Sequence, residues 1–196
     1  MKDDYGKHAL EPVWQSCRRL RRSALPEQWR SWLLDHSSLT RRLQRCCGGS
    51  FRVEVIAQRM EPPMLSEARA LGRPPQEVAL VRQVHLLCDE IPWVFARTVV
   101  PLPSLQGGLK RLAVLGDKPL GAVLFADPKM ERTPVEVAGI DPRHRLYRMS
   151  RGKQPSDNPL WGRRSVFSLQ GNQLLVSEFF LPELLEQTSG RRMNSG

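Results

Sequence analysis

Two apolar runs set around a short polar break constrain this chain more than any other feature. Residues 78–88 and 93–100 are rich in Val and Leu and flank Asp89-Glu90-Ile91-Pro92. Valines recur along both runs and the break between them is a polar turn with a proline, so the pair predicts two antiparallel strands joined as a hairpin. Pro101 and Pro103 end the second strand. A second pair follows the same logic, with residues 164–169 and 174–181 around Gln170-Gly171-Asn172. Phe51, Val53 and Val55 alternate with Arg52 and Glu54, which predicts one more strand, and residues 130–140 predict another.

Helices come before and between these strands. Pro26 suits a helix start, and Trp29, Trp32, Leu33 and Leu34 give residues 26–35 an amphipathic face. Ser37 and Ser38 are good caps for a helix over 39–47, which Gly48 and Gly49 end. Residues 104–116 read as helical, and Pro119 opens a short helix over 120–125. Strands and helices do not alternate as in a parallel α/β chain. The expected class is therefore α+β: a single domain with a mainly antiparallel sheet. Three stretches are expected to lie outside the regular fold. They are a basic arm over 1–25, a surface insertion over 141–160 and a frayed tail over 183–196. Residues 61–77 carry four prolines and read as a flap without regular structure.

Composition narrows the classes. The 196 residues suit one domain, and 40% hydrophobic content supports a single core. No run approaches the roughly 18 apolar residues of a membrane span, and the first residues do not read as a signal peptide. The expectation is a cytoplasmic protein without membrane insertion. Cys17, Cys46, Cys47 and Cys88 form no C-x-x-C pair and have no histidine at zinc spacing. They read as free thiols in a reducing compartment, and no metal is expected. The net charge of +10 fits either nucleic acid or small anions. No nucleic-acid module accompanies it, so no nucleic-acid partner is expected.

No phosphate-binding loop, nucleophile elbow or zinc-protease motif is present. His85 lies within a strand, where a structural role outweighs that of a base. Two charged residues stand out inside apolar strands. Arg82 alternates with Val84 and Leu86, so its side chain points inward with theirs. An inward arginine needs an anion, which an internal carboxylate or a ligand carboxylate supplies equally well. Glu178 alternates with Val176 and Phe180 and also faces inward. It either pairs with an arginine or serves as a buried proton or hydrogen-bond donor.

The chain resembles the chorismate lyase family of bacterial ubiquinone biosynthesis. The resemblance rests on R-Q-V-H-L-L-C-D-E-I-P-W-V-F-A-R-T-V-V-P from Arg82, on Lys118-Pro119-Leu120-Gly121, and on Leu160-Trp161-Gly162-Arg163-Arg164-Ser165. Leu175-Val176-Ser177-Glu178-Phe179-Phe180-Leu181-Pro182 and the helical segment from Trp32 to Thr40 add to it. It covers about residues 26 to 182. The resemblance implies an antiparallel sheet with helices on one side and a buried ligand site under flaps. It implies a lyase without metal or organic cofactor, acting on the dianion chorismate, and a monomer is expected. It assigns Arg82 to the ring carboxylate, Glu178 to the ring-oxygen end, and Leu39 and Leu120 to backbone-amide contacts. The last two fit physically, because both open a helix, where free amides and the dipole favour an anion. The 141–160 insertion and the basic arm depart from the family pattern. The alternative is an effector-binding domain like those of certain bacterial transcription regulators. That reading needs a DNA-binding domain, for which about 25 residues ahead of the first helix are too few.

Overall fold

The computed structural model describes residues 10–125, 127–151 and 158–193. Its strands are β1 (Gln15–Ser16), β2 (Phe51–Glu61), β3 (Ala79–Cys88), β4 (Ile91–Pro101), β5 (Glu131–Arg132), β6 (Glu136–Ile140), β7 (Leu160–Leu169) and β8 (Asn172–Phe180). Its helices are α1 (Glu27–Leu33), α2 (Leu39–Cys46), α3 (Leu65–Ala70), α4 (Leu120–Leu124), α5 (Arg145–Arg151) and α6 (Pro182–Met193). One antiparallel sheet runs β1-β6-β7-β8-β4-β3-β2, with β5 paired to β7. The α+β class expected from the order of elements is the one observed.

Both predicted hairpins form, each with a two-residue turn. Asp89 and Glu90 turn β3 into β4, and Gln170 and Gly171 turn β7 into β8, all four with positive φ. Two left-handed residues in succession match the right-handed twist of the flanking strands.

The sheet is covered on both faces. Toward one face point Leu80, Arg82, Val84 and Leu86 of β3, with Val94, Ala96, Thr98 and Val100 of β4 in register. Trp29, Trp32 and Leu33 of α1, Leu39 and Leu43 of α2, and Leu124 of α4 pack over that face in two apolar clusters. This is the helical layer the sequence predicts. The opposite face adds a layer that the sequence reading lacks. There Phe95 and Phe179 pack with Met64, just ahead of α3, and with Leu146 and Tyr147 of α5.

The differences from expectation have local causes. Residues 61–77 are not an irregular flap: β2 runs to Glu61, and α3 forms because its buried Ala68 and Glu67 face the sheet. The expected helix over 104–116 is a 3-10 helix over Gly107–Val114. The expected strand over 130–140 is broken at Pro134, which lacks a donor, into β5 and β6. Of the expected insertion, Arg145–Arg151 is helical with Leu146, Tyr147 and Ser150 buried, while residues 152–157 lie outside the described residues. Of the expected tail, Pro182–Met193 is helical with Leu184 in the core, and residues 194–196 lie outside the described residues. In the expected basic arm, Gln15–Ser16 adds β1 to the sheet edge, and residues 1–9 lie outside the described residues.

The cysteines require a further correction. Cys47 and Cys88 form a disulfide with Cα atoms 5.7 Å apart, so they are not free thiols. The bond joins the end of α2 to the end of β3, two positions 41 residues apart in sequence. Cys17 and Cys46 lie outside this bond.

Candidate active site

Strand register places the two charged residues singled out by alternation on one face. One row across the sheet reads Arg82, Thr98, Val176, Ser165, and the next reads Val84, Ala96, Glu178, Arg163. Above these rows lies a pocket whose walls include Ser38, Leu39 and Thr40 from the start of α2, and Pro119, Leu120 and Gly121 from the start of α4. The pocket thus gathers all four sequence-predicted residues: Arg82, Glu178, Leu39 and Leu120.

The two helix starts approach each other closely. A side chain at Gly121 would lie 3.3 Å from Ser38 Oγ and 3.6 Å from Thr40 Oγ1. Leu39 and Leu120 are the first residues of their helices. Amides in a first turn have no intrahelical acceptor, so they remain available to a ligand.

Arg82 is 4% exposed. Its Nη2 donates to Gly116 O at 2.5 Å, and its buried Nε has no partner. Among the described residues no carboxylate lies within 4.0 Å of it. Burial pushes the guanidinium below its ordinary range, and the field of Asp117 partly counters that. Of the two readings left open by sequence, the internal salt bridge is not formed among the described residues. A buried cation without a carboxylate is an acceptor for one.

Glu178 does have an arginine, but it is not Arg82. Arg163 Nε donates to Glu178 Oε2 at 2.6 Å. Arg163 is 1% exposed, and its Nη1 donates to Trp32 O at 2.8 Å and to Asp35 O. One guanidinium therefore clamps the carboxylate and the connection leading from α1 into α2. Asp35 in turn lies beneath Arg42, 2.9 Å away. Burial opposes ionisation of Asp35, but hydrogen bonds from Ser37 and Arg42 outweigh it and hold the carboxyl below its usual range.

Arg132 of β5 is a second residue that the sequence reading missed. Its Nε donates to Ser165 Oγ at 3.1 Å and its Nη1 to His36 O at 3.1 Å, and its guanidinium lies 5.1 Å from the Phe167 ring. Burial lowers its pKa, the Glu178 carboxylate raises it, and the Arg163 charge lowers it again. Among the described residues the charged lining is thus Arg82, Arg132, Arg163 and Glu178, which leaves two positive charges in excess. His85 stands apart, on the opposite face, with Nε2 3.2 Å from Ser150 O. The described His, Cys, Asp and Glu groups that cluster closely are Cys47, Cys88 and Asp89, and two of these are bonded to each other.

A cationic pocket on an antiparallel sheet, roofed by two helix starts, defines a domain that takes a small anionic molecule. The chorismate lyase family model matches residues 10–189, and the chain belongs to that family of lyases. The chain is 44% identical over 168 residues to a probable chorismate pyruvate-lyase of Aromatoleum aromaticum, covering 84% of this chain and 90% of the relative. A relative from Methylococcus capsulatus with the same description is 44% identical over 155 residues, covering 79% and 95%. The sheet is also similar to a GntR-family transcriptional regulator from Bacillus cereus, with a TM-score of 0.51 at 14% identity, over 68% of this chain and 92% of that one. PhnF from Mycobacterium smegmatis gives 0.51 at 17% identity, over 76% and 66%. These likenesses show a shared fold. Among the described residues no helix is long and apolar enough to cross a membrane.

Proposed function

We propose that this chain converts chorismate into 4-hydroxybenzoate and pyruvate, the first committed step of ubiquinone biosynthesis. The carrying observation is Arg82: buried, without a carboxylate within 4.0 Å among the described residues, and lining a pocket whose described charged residues leave two positive charges in excess. Chorismate is a dianion, so the charges balance.

In the reaction the ether bond between ring and enolpyruvyl group breaks. The ring carbon bearing the hydroxyl loses a hydrogen, the enol methylene gains one, and the ring becomes aromatic. Aromatisation drives the reaction, so the protein needs no strong nucleophile. Arg82 binds the ring carboxylate, and the amides of Leu39 and Leu120 help to orient the anionic groups. Glu178, held by Arg163, polarises or protonates near the departing ether oxygen. A bound ligand would be enclosed by the α2 and α4 starts, which makes product release a slow step.

The test mixes the purified chain with chorismate and follows both products. Equal amounts of 4-hydroxybenzoate and pyruvate with saturable kinetics are expected. Tight binding of 4-hydroxybenzoate without turnover would favour an effector-binding domain instead. Glu178→Gln is expected to slow turnover by roughly 10²-fold or more while changing binding far less. An unchanged turnover number would remove Glu178 from the chemistry. A monomer in the cytoplasm is part of the same proposal, and light scattering after size exclusion checks the first point.

A further inference from the structure

Chorismate carries two carboxylates, and the contacts proposed above give only one of them a cation of its own. We propose that Arg132 is the second anion site: it binds the enolpyruvyl carboxylate and so distinguishes the dianionic substrate from the monoanionic product. This rests on the lyase reading.

Three observations carry it. First, Arg132 enters the pocket from the side opposite Arg82. Arg82 lies on β3, whereas Arg132 bonds to Ser165 of β7, at the far end of the same row. Three interstrand steps separate those two backbone positions, roughly 14 Å. Arginine side chains reaching inward from both ends leave space between them for a small ring with an acid group at each end.

Second, Arg132 is held ready. Nε and Nη1 are fixed by Ser165 Oγ and His36 O, and the Phe167 ring lies beside the guanidinium. Among the described residues Nη2 has no hydrogen bond, and no carboxylate lies within 4.0 Å of the side chain. Arg163, the third cation of the pocket, is already committed to Glu178 and to two backbone carbonyls.

Third, Glu178 stands opposite Arg163 of β7, two residues along that strand from the Ser165 that holds Arg132. Glu178 is the group proposed to act at the ether oxygen. The carboxylate attached to that ether through the enol carbon therefore falls on the Arg132 side of the pocket. After cleavage this carboxylate leaves as pyruvate, and 4-hydroxybenzoate has nothing to offer Arg132.

The test compares affinities for chorismate and 4-hydroxybenzoate in the wild type, Arg132→Met, Arg132→Lys and Arg82→Met. For Arg132→Met, the chorismate constant is expected to weaken by roughly 30-fold or more, the scale of losing one partner of a desolvated charge pair. Its 4-hydroxybenzoate constant should stay within about threefold, because that contact is absent from the product complex. Arg132→Lys should restore part of the chorismate affinity. Arg82→Met should weaken both ligands. Equal weakening of both ligands in Arg132→Met would mark Arg132 as structural, and unchanged chorismate affinity would remove it from recognition; either overturns the inference. If the wild type binds chorismate but does not turn it over, the lyase reading falls, while the ratio of binding constants still decides Arg132. If the wild type binds neither ligand, both fall.

Discussion

Arg82 and Arg97 are buried on adjacent strands of one sheet, on opposite faces, in opposite electrostatic circumstances. On the back face, Arg97 is 1% exposed, and its Nε and Nη2 donate to the two oxygens of Glu67 at 2.7 and 3.1 Å. Glu61 adds a second carboxylate 3.6 Å away. Glu67 also accepts the Met64 amide at 2.8 Å, tying the start of α3 to the sheet. On the pocket face, Arg82 is 4% exposed, and among the described residues its hydrogen-bond partner is a backbone carbonyl. Each guanidinium keeps one buried nitrogen without a hydrogen bond, Nη1 in Arg97 and Nε in Arg82, so what separates them is the carboxylate: Arg97 is ion-paired, and Arg82 has no carboxylate within 4.0 Å among the described residues. Burying an unpaired charge is costly, so the missing carboxylate marks the place where a ligand completes the fold's electrostatics.

Breaking the back-face joint gives the largest expected effect on stability. Glu67→Ala leaves Arg97 buried beside a single, more distant carboxylate and should destabilise the chain by about 3–5 kcal/mol. Urea unfolding measures it, and a loss below about 1 kcal/mol, the range of exposed pairs, would show the joint to be weak. The next effect sharpens the contrast from the other side. Cys47–Cys88 fastens α2, which carries Leu39, to the end of β3. Reduction should cost about 2–4 kcal/mol, and hydrogen exchange should accelerate in α2 before it does in α3. Equal acceleration in both helices would mean that the bond stabilises the chain as a whole and not the roof of the pocket.

Much of this contrast is legible in the sequence on the pocket face and little of it on the back face. Alternation with Val84 and Leu86, or with Val176 and Phe180, is enough to turn Arg82 and Glu178 inward. Pro119 and Ser38 announce the helix starts at Leu120 and Leu39. Arg132 stays hidden because β5 is two residues long and shows no alternation. Arg163 and Arg164 are adjacent and look alike, yet one faces Glu178 and the other faces Glu136 at 2.7 Å. Their neighbour Gly162 has a reason visible only in three dimensions: a side chain there would lie 2.8 Å from the Phe179 ring. Glu67 lies in a proline-rich stretch that reads as a flap without regular structure, and only the sheet above it makes it a core group. The Cys47–Cys88 bond spans 41 residues and depends on α2 folding back along β3, which no local pattern encodes.

The smallest expected effect on stability belongs to Arg82 itself, and it decides whether this arginine is kept for a ligand. Arg82→Met should be followed by calorimetric titration with chorismate and 4-hydroxybenzoate, alongside its urea midpoint. Removing a charge that lacks a carboxylate partner should leave the midpoint unchanged or raised, while affinity falls by roughly 30-fold or more for both ligands. Retained affinity, or a midpoint that falls as it should in Glu67→Ala, would place Arg82 with Arg97 among the structural arginines.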